Sequence, residues 1–146
     1  MPTVRITRRL HFSAAHRLHS DQLSAEENAS FYGLCNSPNY HGHNYELDVT
    51  VEGEIDPDTG YVMDLGRLKA LVEAEVVADV DHRNLNLDVP WLEGVIPSAE
   101  NLVVRIWERL AGRIRDGRLV KLVLWETPRN YAEYQGDIRG NNGGEP

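Results

Sequence analysis

The stretch whose reading decides the fold is residues 35–53, CNSPNYHGHNYELDVTVEG. Within it Tyr45, Leu47, Val49 and Val51 alternate with Glu46, Asp48, Thr50 and Glu52. Successive side chains of a β-strand point to opposite faces, so this period of two predicts a strand with one buried and one solvated face. Carried backward, the same parity puts His41 and His43 on the buried side, at the strand's start. Residues 3–14 repeat the signature: Val4, Ile6, Leu10, Phe12 and Ala14 alternate with Thr3, Arg5, Thr7, Arg9, His11 and Ser13, and Arg8 is the one exception. This second strand therefore directs His16 inward and His11 outward.

Between the two strands lies a long connection, residues 17–40, with one weakly helical stretch near SAEENASFYG. Long loops inside compact domains tend to be functional or disordered, and this one delivers Cys35 to the mouth of the second strand. Beyond residue 53, EIDPDTGYVMD reads as a turn centred on Pro57 and Gly60, after which Asp64 caps a helix with Leu65, Leu68, Leu71, Val72 and Val76 at spacings of three and four. Residues 81–97 hold two prolines and no sustained period, which predicts a loop. Ser98 then caps a second helix, with Glu100 in its first turn and Val103, Ile106, Trp107, Leu110 and Ile114 as its buried stripe.

Residues 119–126 read as a strand, 128–130 as a turn and 131–135 as its antiparallel partner. The polar, glycine-rich residues 137–146 read as a frayed tail. The order strand, strand, helix, helix, strand, strand predicts an α+β fold, a four-stranded antiparallel sheet with two helices on one face, formed as a single domain over residues 1–136. Its free edges suit pairing with copies of itself.

Composition narrows the function. The 146 residues, 41% hydrophobic, suffice for one modest core. With 15 Lys and Arg against 23 Asp and Glu, the net charge of -8 disfavours nonspecific binding to nucleic acid or anionic lipid. One cysteine makes no intrachain disulfide, no apolar run approaches the ~20 residues that span a bilayer, and the N-terminal residues alternate rather than forming a signal core. These features predict a soluble cytoplasmic protein with neither nucleic-acid nor membrane partner.

Chemistry concentrates at the strand ends. His41 and His43, one residue apart, project to one side, and an inward His16 on the adjoining strand completes a face of three imidazoles. Such a set suits zinc, with the fourth tetrahedral position open as in catalytic sites. By spacing alone, satisfied histidines at strand ends explain the pattern equally well. Cys35 is a small apolar residue in most settings and a thiolate base or fourth ligand near a cation. Asp81 and His82 are acid–base candidates, although adjacent side chains diverge in regular structure. Glu126 continues the inward parity of Val120, Leu122 and Leu124, so its carboxylate needs either an Arg or the N–H groups of a ligand.

Taken together, FSAAHRL, CNSPNYHGHNY, EIDPDTGYVMD, DHRNLN, SAEN and WET resemble, in order and from residue 4 to residue 135, the 6-pyruvoyltetrahydropterin synthase family. The resemblance implies the tunnelling fold, in which trimers stack into a homohexamer with active sites between subunits. It implies that His16, His41 and His43 bind zinc, that Cys35 is the general base, and that Asp81 and His82 are its relay partners, reaching it from another chain. It further implies that Glu126 anchors a pterin ring and that Ser98 and Glu100 add substrate contacts. The implied substrate is 7,8-dihydroneopterin triphosphate.

The family divides by product. Its pyruvoyl branch serves tetrahydrobiopterin synthesis and eliminates triphosphate; its 6-carboxytetrahydropterin branch serves queuosine synthesis, releases acetaldehyde and usually has three residues between the cysteine and His-Gly-His. Here five residues separate Cys35 from His41, which resembles the pyruvoyl branch, although Tyr40 stands where that branch often has glycine and Ser98-Ala99 replaces a threonine pair. A metal-dependent pterin-binding protein without turnover is the alternative of a different class.

Overall fold

A computed structural model describes residues 2–137. Strand β1 (Thr3–His16) and strand β2 (His41–Glu54) pair antiparallel along their whole length, from Thr3 opposite Glu54 to His16 opposite His41. This register follows from the matching parities, because a slip by one residue would turn both apolar rows to solvent. Strand β4 (Arg118–Thr127) joins β2, and strand β5 (Asn130–Tyr134) joins β4, both antiparallel.

Among the described residues the sheet has five strands, against the four expected, in the order β3 (Arg83–Asn84), β1, β2, β4, β5. The additional strand, β3, pairs parallel with Ala14 and Ala15 at the edge of β1. Two residues are too short to show a period, and they fall within the segment read as loop. The tail expected to fray lies, apart from Asp137, outside the described residues.

Helix α1 (Ala25–Tyr32) occupies the weakly helical stretch of the long connection, begun by a reciprocal capping box between Ser24 and Glu27. Asp64 caps helix α2 (Leu65–Val72) by accepting from the Gly66 amide at 2.8 Å. A π-helical turn (Glu73–Val77) and short helix α3 (Ala78–Val80) continue it. Ser98 caps helix α4 (Ala99–Leu110), which ends sooner than the apolar stripe suggests; Ile114 lies beyond it yet stays buried.

The even-numbered face of β1 packs with α2 and α4 into one core that includes Phe12, Tyr45, Leu47, Leu68, Ile106 and Leu122. Phe12 stacks on Tyr45 with ring centroids 4.9 Å apart. Burial of each such side chain contributes about 1.5–3 kcal/mol. The opposite face is a ladder of polar cross-strand pairs: Arg9 is bidentate on Asp48 at 2.6 and 2.9 Å, Glu52 holds both Arg5 and Arg118, and the Thr7 and Thr50 hydroxyls meet at 2.8 Å. Among the described residues no helix is long and apolar enough to cross a membrane.

Candidate metal centre and adjoining cavity

The β1–β2 register delivers the three inward histidines to one point. His16 faces His41 directly, and His43 sits opposite Ala14, where the small side chain leaves room. The three ring centroids form a near-equilateral triangle with sides of 4.6, 4.9 and 5.0 Å, and one nitrogen from each ring lies within 4.8 Å of the other two.

Hydrogen bonding fixes how these rings present themselves. His16, only 1% exposed, donates from Nδ1 to the Pro97 carbonyl at 2.8 Å, because a carbonyl can only accept. That bond leaves the His16 Nε2 lone pair facing the cluster. The Tyr45 hydroxyl lies 3.3 Å from the same Nδ1, behind the ring. His16 Nε2, His41 Nδ1 and His43 Nε2 are buried with no hydrogen-bond partner among the described residues. Three orphaned imidazole nitrogens converging on one spot are costly unless something accepts their lone pairs. A cation satisfies all three, and imidazole donors suit zinc, copper, iron or nickel.

The electrostatics agree with neutral ligands. Burial pushes His16 down to about 4, with the neighbouring His41 and His43 lowering it further against the opposing Pro97 carbonyl. Burial and His43 likewise lower His41. Neutral imidazole is the form that binds metal.

Glu126, near the end of β4, brings its Oε1 within 3.8 Å of His43 Nε2. No Arg or Lys pairs with it among the described residues, so the protein partner that sequence reasoning left open is absent from its surroundings there. Its carboxylate borders a cavity of about 500 Å³, shared with Leu18, Ser98, Glu100 and Tyr131. Three residues expected to touch substrate, Glu126, Ser98 and Glu100, therefore meet at one opening.

Asp81 and His82 sit elsewhere, against the outer edge of β1. The Ser13 amide donates to Asp81 Oδ1 at 2.9 Å, and the His82 amide donates to the Ser13 carbonyl at 2.6 Å. Contrary to the expectation that neighbouring side chains diverge, Asp81 Oδ2 lies 3.0 Å from His82 Nδ1. The cause is the backbone: His82 has a φ of 59°, a left-handed conformation that folds its ring back on its neighbour. The Ser13 amide and then His82 lower the Asp81 carboxyl.

Cys35, half-buried in a short 3₁₀ turn (Gly33–Asn36), is tied by its carbonyl to the Leu18 amide at 2.8 Å. Leu18 lines the Glu126 cavity, so the backbone of Cys35 is one hydrogen bond from a residue of that lining. Among the described residues no hydrogen bond links the thiol to Asp81 or His82, and the fold of one chain does not join these three.

The model of the family "6-pyruvoyl tetrahydropterin synthase" matches residues 5–137. The chain belongs to this family. It is 47% identical to the human 6-pyruvoyl tetrahydrobiopterin synthase over 90% of this chain and 91% of the human protein. It is 42% identical to the Dictyostelium discoideum protein of the same name, over 92% of this chain and 98% of that one. The structure of the Caenorhabditis elegans 6-pyruvoyl tetrahydropterin synthase superposes with a TM-score of 0.88 at 42% identity, covering 93% of this chain and 97% of that chain. Membership in the 6-pyruvoyl tetrahydropterin synthase family supports the sheet-and-helix architecture, and the family acts on a pterin substrate. The histidine cluster is the place where this member can hold a metal ion.

Sequence reasoning missed the residues that organise the site from behind: Tyr45, Pro97, Asn36 and Asn86. Tyr45 reads as core by parity, the Pro97 contact is a backbone carbonyl, and the two asparagines follow no period.

Proposed function

We propose that this chain is a zinc-dependent 6-pyruvoyltetrahydropterin synthase, a lyase that converts 7,8-dihydroneopterin triphosphate to 6-pyruvoyltetrahydropterin with release of triphosphate. The observation that carries the reading is the pairing of three orphaned, buried imidazole nitrogens with a Glu126 carboxylate that has no Arg or Lys partner among the described residues and borders a cavity of about 500 Å³. The 2-amino-4-oxopyrimidine edge of a pterin offers two parallel N–H donors, the amino group and the adjacent ring N–H, which a carboxylate accepts in bidentate fashion. Ser98 and Glu100, on the same cavity, add contacts to the ring.

His16, His41 and His43 would hold the zinc. When bound, the ion is a Lewis acid that acidifies the substrate's side-chain hydroxyls. Glu126 orients the ring so that its side chain lies beside the histidines. Cys35, as a thiolate, removes the proton on the side-chain carbon next to the ring. That hydrogen and the hydroxyl proton pass to the ring C=N, which is reduced as the side-chain carbon becomes a ketone. Loss of the proton on the next carbon then expels triphosphate from the terminal one. Asp81 and His82 relay the proton that Cys35 takes. Because the His82 side chain is 82% exposed on the outer edge of β1, the pair serves the Cys35 of a neighbouring subunit, as a hexamer of two stacked trimers with sites between subunits provides.

Mass spectrometry of the products formed from 7,8-dihydroneopterin triphosphate by the zinc-loaded protein tests this, with acetaldehyde quantified in parallel. Pyruvoyl product, free triphosphate and no acetaldehyde are expected. Carboxy product with matching acetaldehyde would assign the 6-carboxytetrahydropterin reaction instead, and binding without product would leave a pterin-binding protein.

A further inference from the structure

We infer that Asn36, assisted by Arg17, is a positioning residue that sets the place of the Cys35 thiol relative to the histidine cluster. The inference rests on the role proposed above for Cys35. Between His16 and His41 only Asn28 and Asn36 are buried, and none of the apolar side chains there is. Hydrogen bonds rather than apolar packing therefore place this segment.

Asn28 organises the first half of the segment through Ser20, Leu23 and Ser24. Asn36 organises the second half. Asn36 as a residue is 8% exposed while nearby Leu34 is 91% exposed, and its side chain donates from Nδ2 to the Leu18 carbonyl at 2.8 Å and to His19 Nδ1 at 3.1 Å. In return the Leu18 amide donates to the Cys35 carbonyl at 2.8 Å, and Arg17 Nε donates to the Asn36 carbonyl at 3.0 Å. Four hydrogen bonds thus join residues 35–36 to the three residues that follow the His16 ligand.

The other side of this clamp is itself held. Asn86 receives the Arg17 amide on Oδ1 and donates from Nδ2 to the Arg17 carbonyl, both at 2.8 Å, imitating a further strand pair at the edge of β1. His16 is fixed separately by Pro97. The thiol is consequently referenced to the metal ligand through a chain of satisfied hydrogen bonds, and loss of the Asn36 amide releases the 3₁₀ turn without touching a ligand. A base displaced by about 1 Å costs roughly a hundredfold in rate.

The test uses the full-length, zinc-loaded chain with Asn36→Ala, and Arg17→Met as a milder variant that removes only the guanidinium link. Cys35 is the single cysteine, so its alkylation by iodoacetamide reports this thiol alone. For Asn36→Ala we expect kcat to fall roughly a hundredfold with KM within a few-fold, zinc stoichiometry unchanged, and both the rate and the pH profile of alkylation altered. Arg17→Met should give a smaller change in the same direction, and it decides the matter if Asn36→Ala does not fold. Unchanged kcat and unchanged alkylation in a folded variant would overturn the inference. Absence of product from the parent protein would instead refute the enzymatic reading, with the alkylation profiles still deciding whether Asn36 places the thiol.

Discussion

Asp81 and His82 are adjacent in the chain and paired in space, Oδ2 to Nδ1 at 3.0 Å, because His82 adopts a left-handed backbone while Asp81 is pinned by the Ser13 amide. The pair is thereby displayed on the sheet edge as a unit, one carboxylate orienting one imidazole. Asp81→Asn keeps an oxygen for the Ser13 amide but removes the carboxylate charge that faces the His82 ring. We expect turnover to drop by about 10²–10⁴ with metal content intact. Steady-state kinetics with metal analysis checks this; near-parental turnover would remove the pair from the reaction.

Cys35→Ala separates an enzyme from a binder. Turnover should fall by about 10²–10⁴ while zinc and pterin binding persist, since neither the histidine cluster nor Glu126 depends on the thiol. Product assays beside calorimetric titration with a pterin read both quantities, and retained turnover would exclude the thiolate base.

His41→Ala removes one of the three converging nitrogens. Two imidazoles hold zinc far more weakly, so the purified variant should contain well under one zinc per chain. Stoichiometric zinc by elemental analysis would refute the ligand assignment.

The metal-free protein should lose stability in mild acid. His16 is depressed to about 4 in the folded chain, against an unfolded value near 6.5, so below that value the unfolded state binds the proton that the folded state refuses. Stability is full above pH ~6.5 and is lost as pH falls through about 4, with a contribution on the order of 3 kcal/mol. The lowered His41 acts in the same direction. Urea denaturation of chelator-treated protein across this range should show the loss, attenuated in His16→Phe; identical pH profiles for parent and variant would contradict it.

Tyr40 precedes His41, at the start of β2, with a φ of 67°, in the left-handed region that disfavours side chains. This accounts for glycine being common at that place in the pyruvoyl branch. Relief of about 1–2 kcal/mol of strain, less the extra backbone entropy glycine loses, predicts that Tyr40→Gly stabilises the fold by up to about 1 kcal/mol. Chemical denaturation reads it, and a destabilisation would show that Tyr40 packing outweighs the strain.

Features encoded by short periods or single caps were legible in the sequence. The alternation of Tyr45, Leu47, Val49 and Val51 with charged residues located β2 and turned His41 and His43 inward, and Ser98 and Asp64 marked their helices. Parity also sent Glu126 toward the core face, where it meets His43. Features lacking a period were missed: the two-residue β3, the π-helical turn after α2, and the early end of α4.

By itself, therefore, the sequence determined which side of each strand the three histidines and the Glu126 carboxylate occupy, since the pleat of a strand is local and its period is two. Tertiary structure alone decided which of those groups meet. The Pro97 carbonyl reaches His16 across 81 positions, and Glu126 approaches His43 from another strand. The Asp81–His82 pair depends on one left-handed residue, and Cys35 on an asparagine amide satisfied by the chain eighteen residues before it. Each of these contacts is fixed by long-range approach or by an uncommon backbone angle, and neither leaves a repeating mark on the residues that make it.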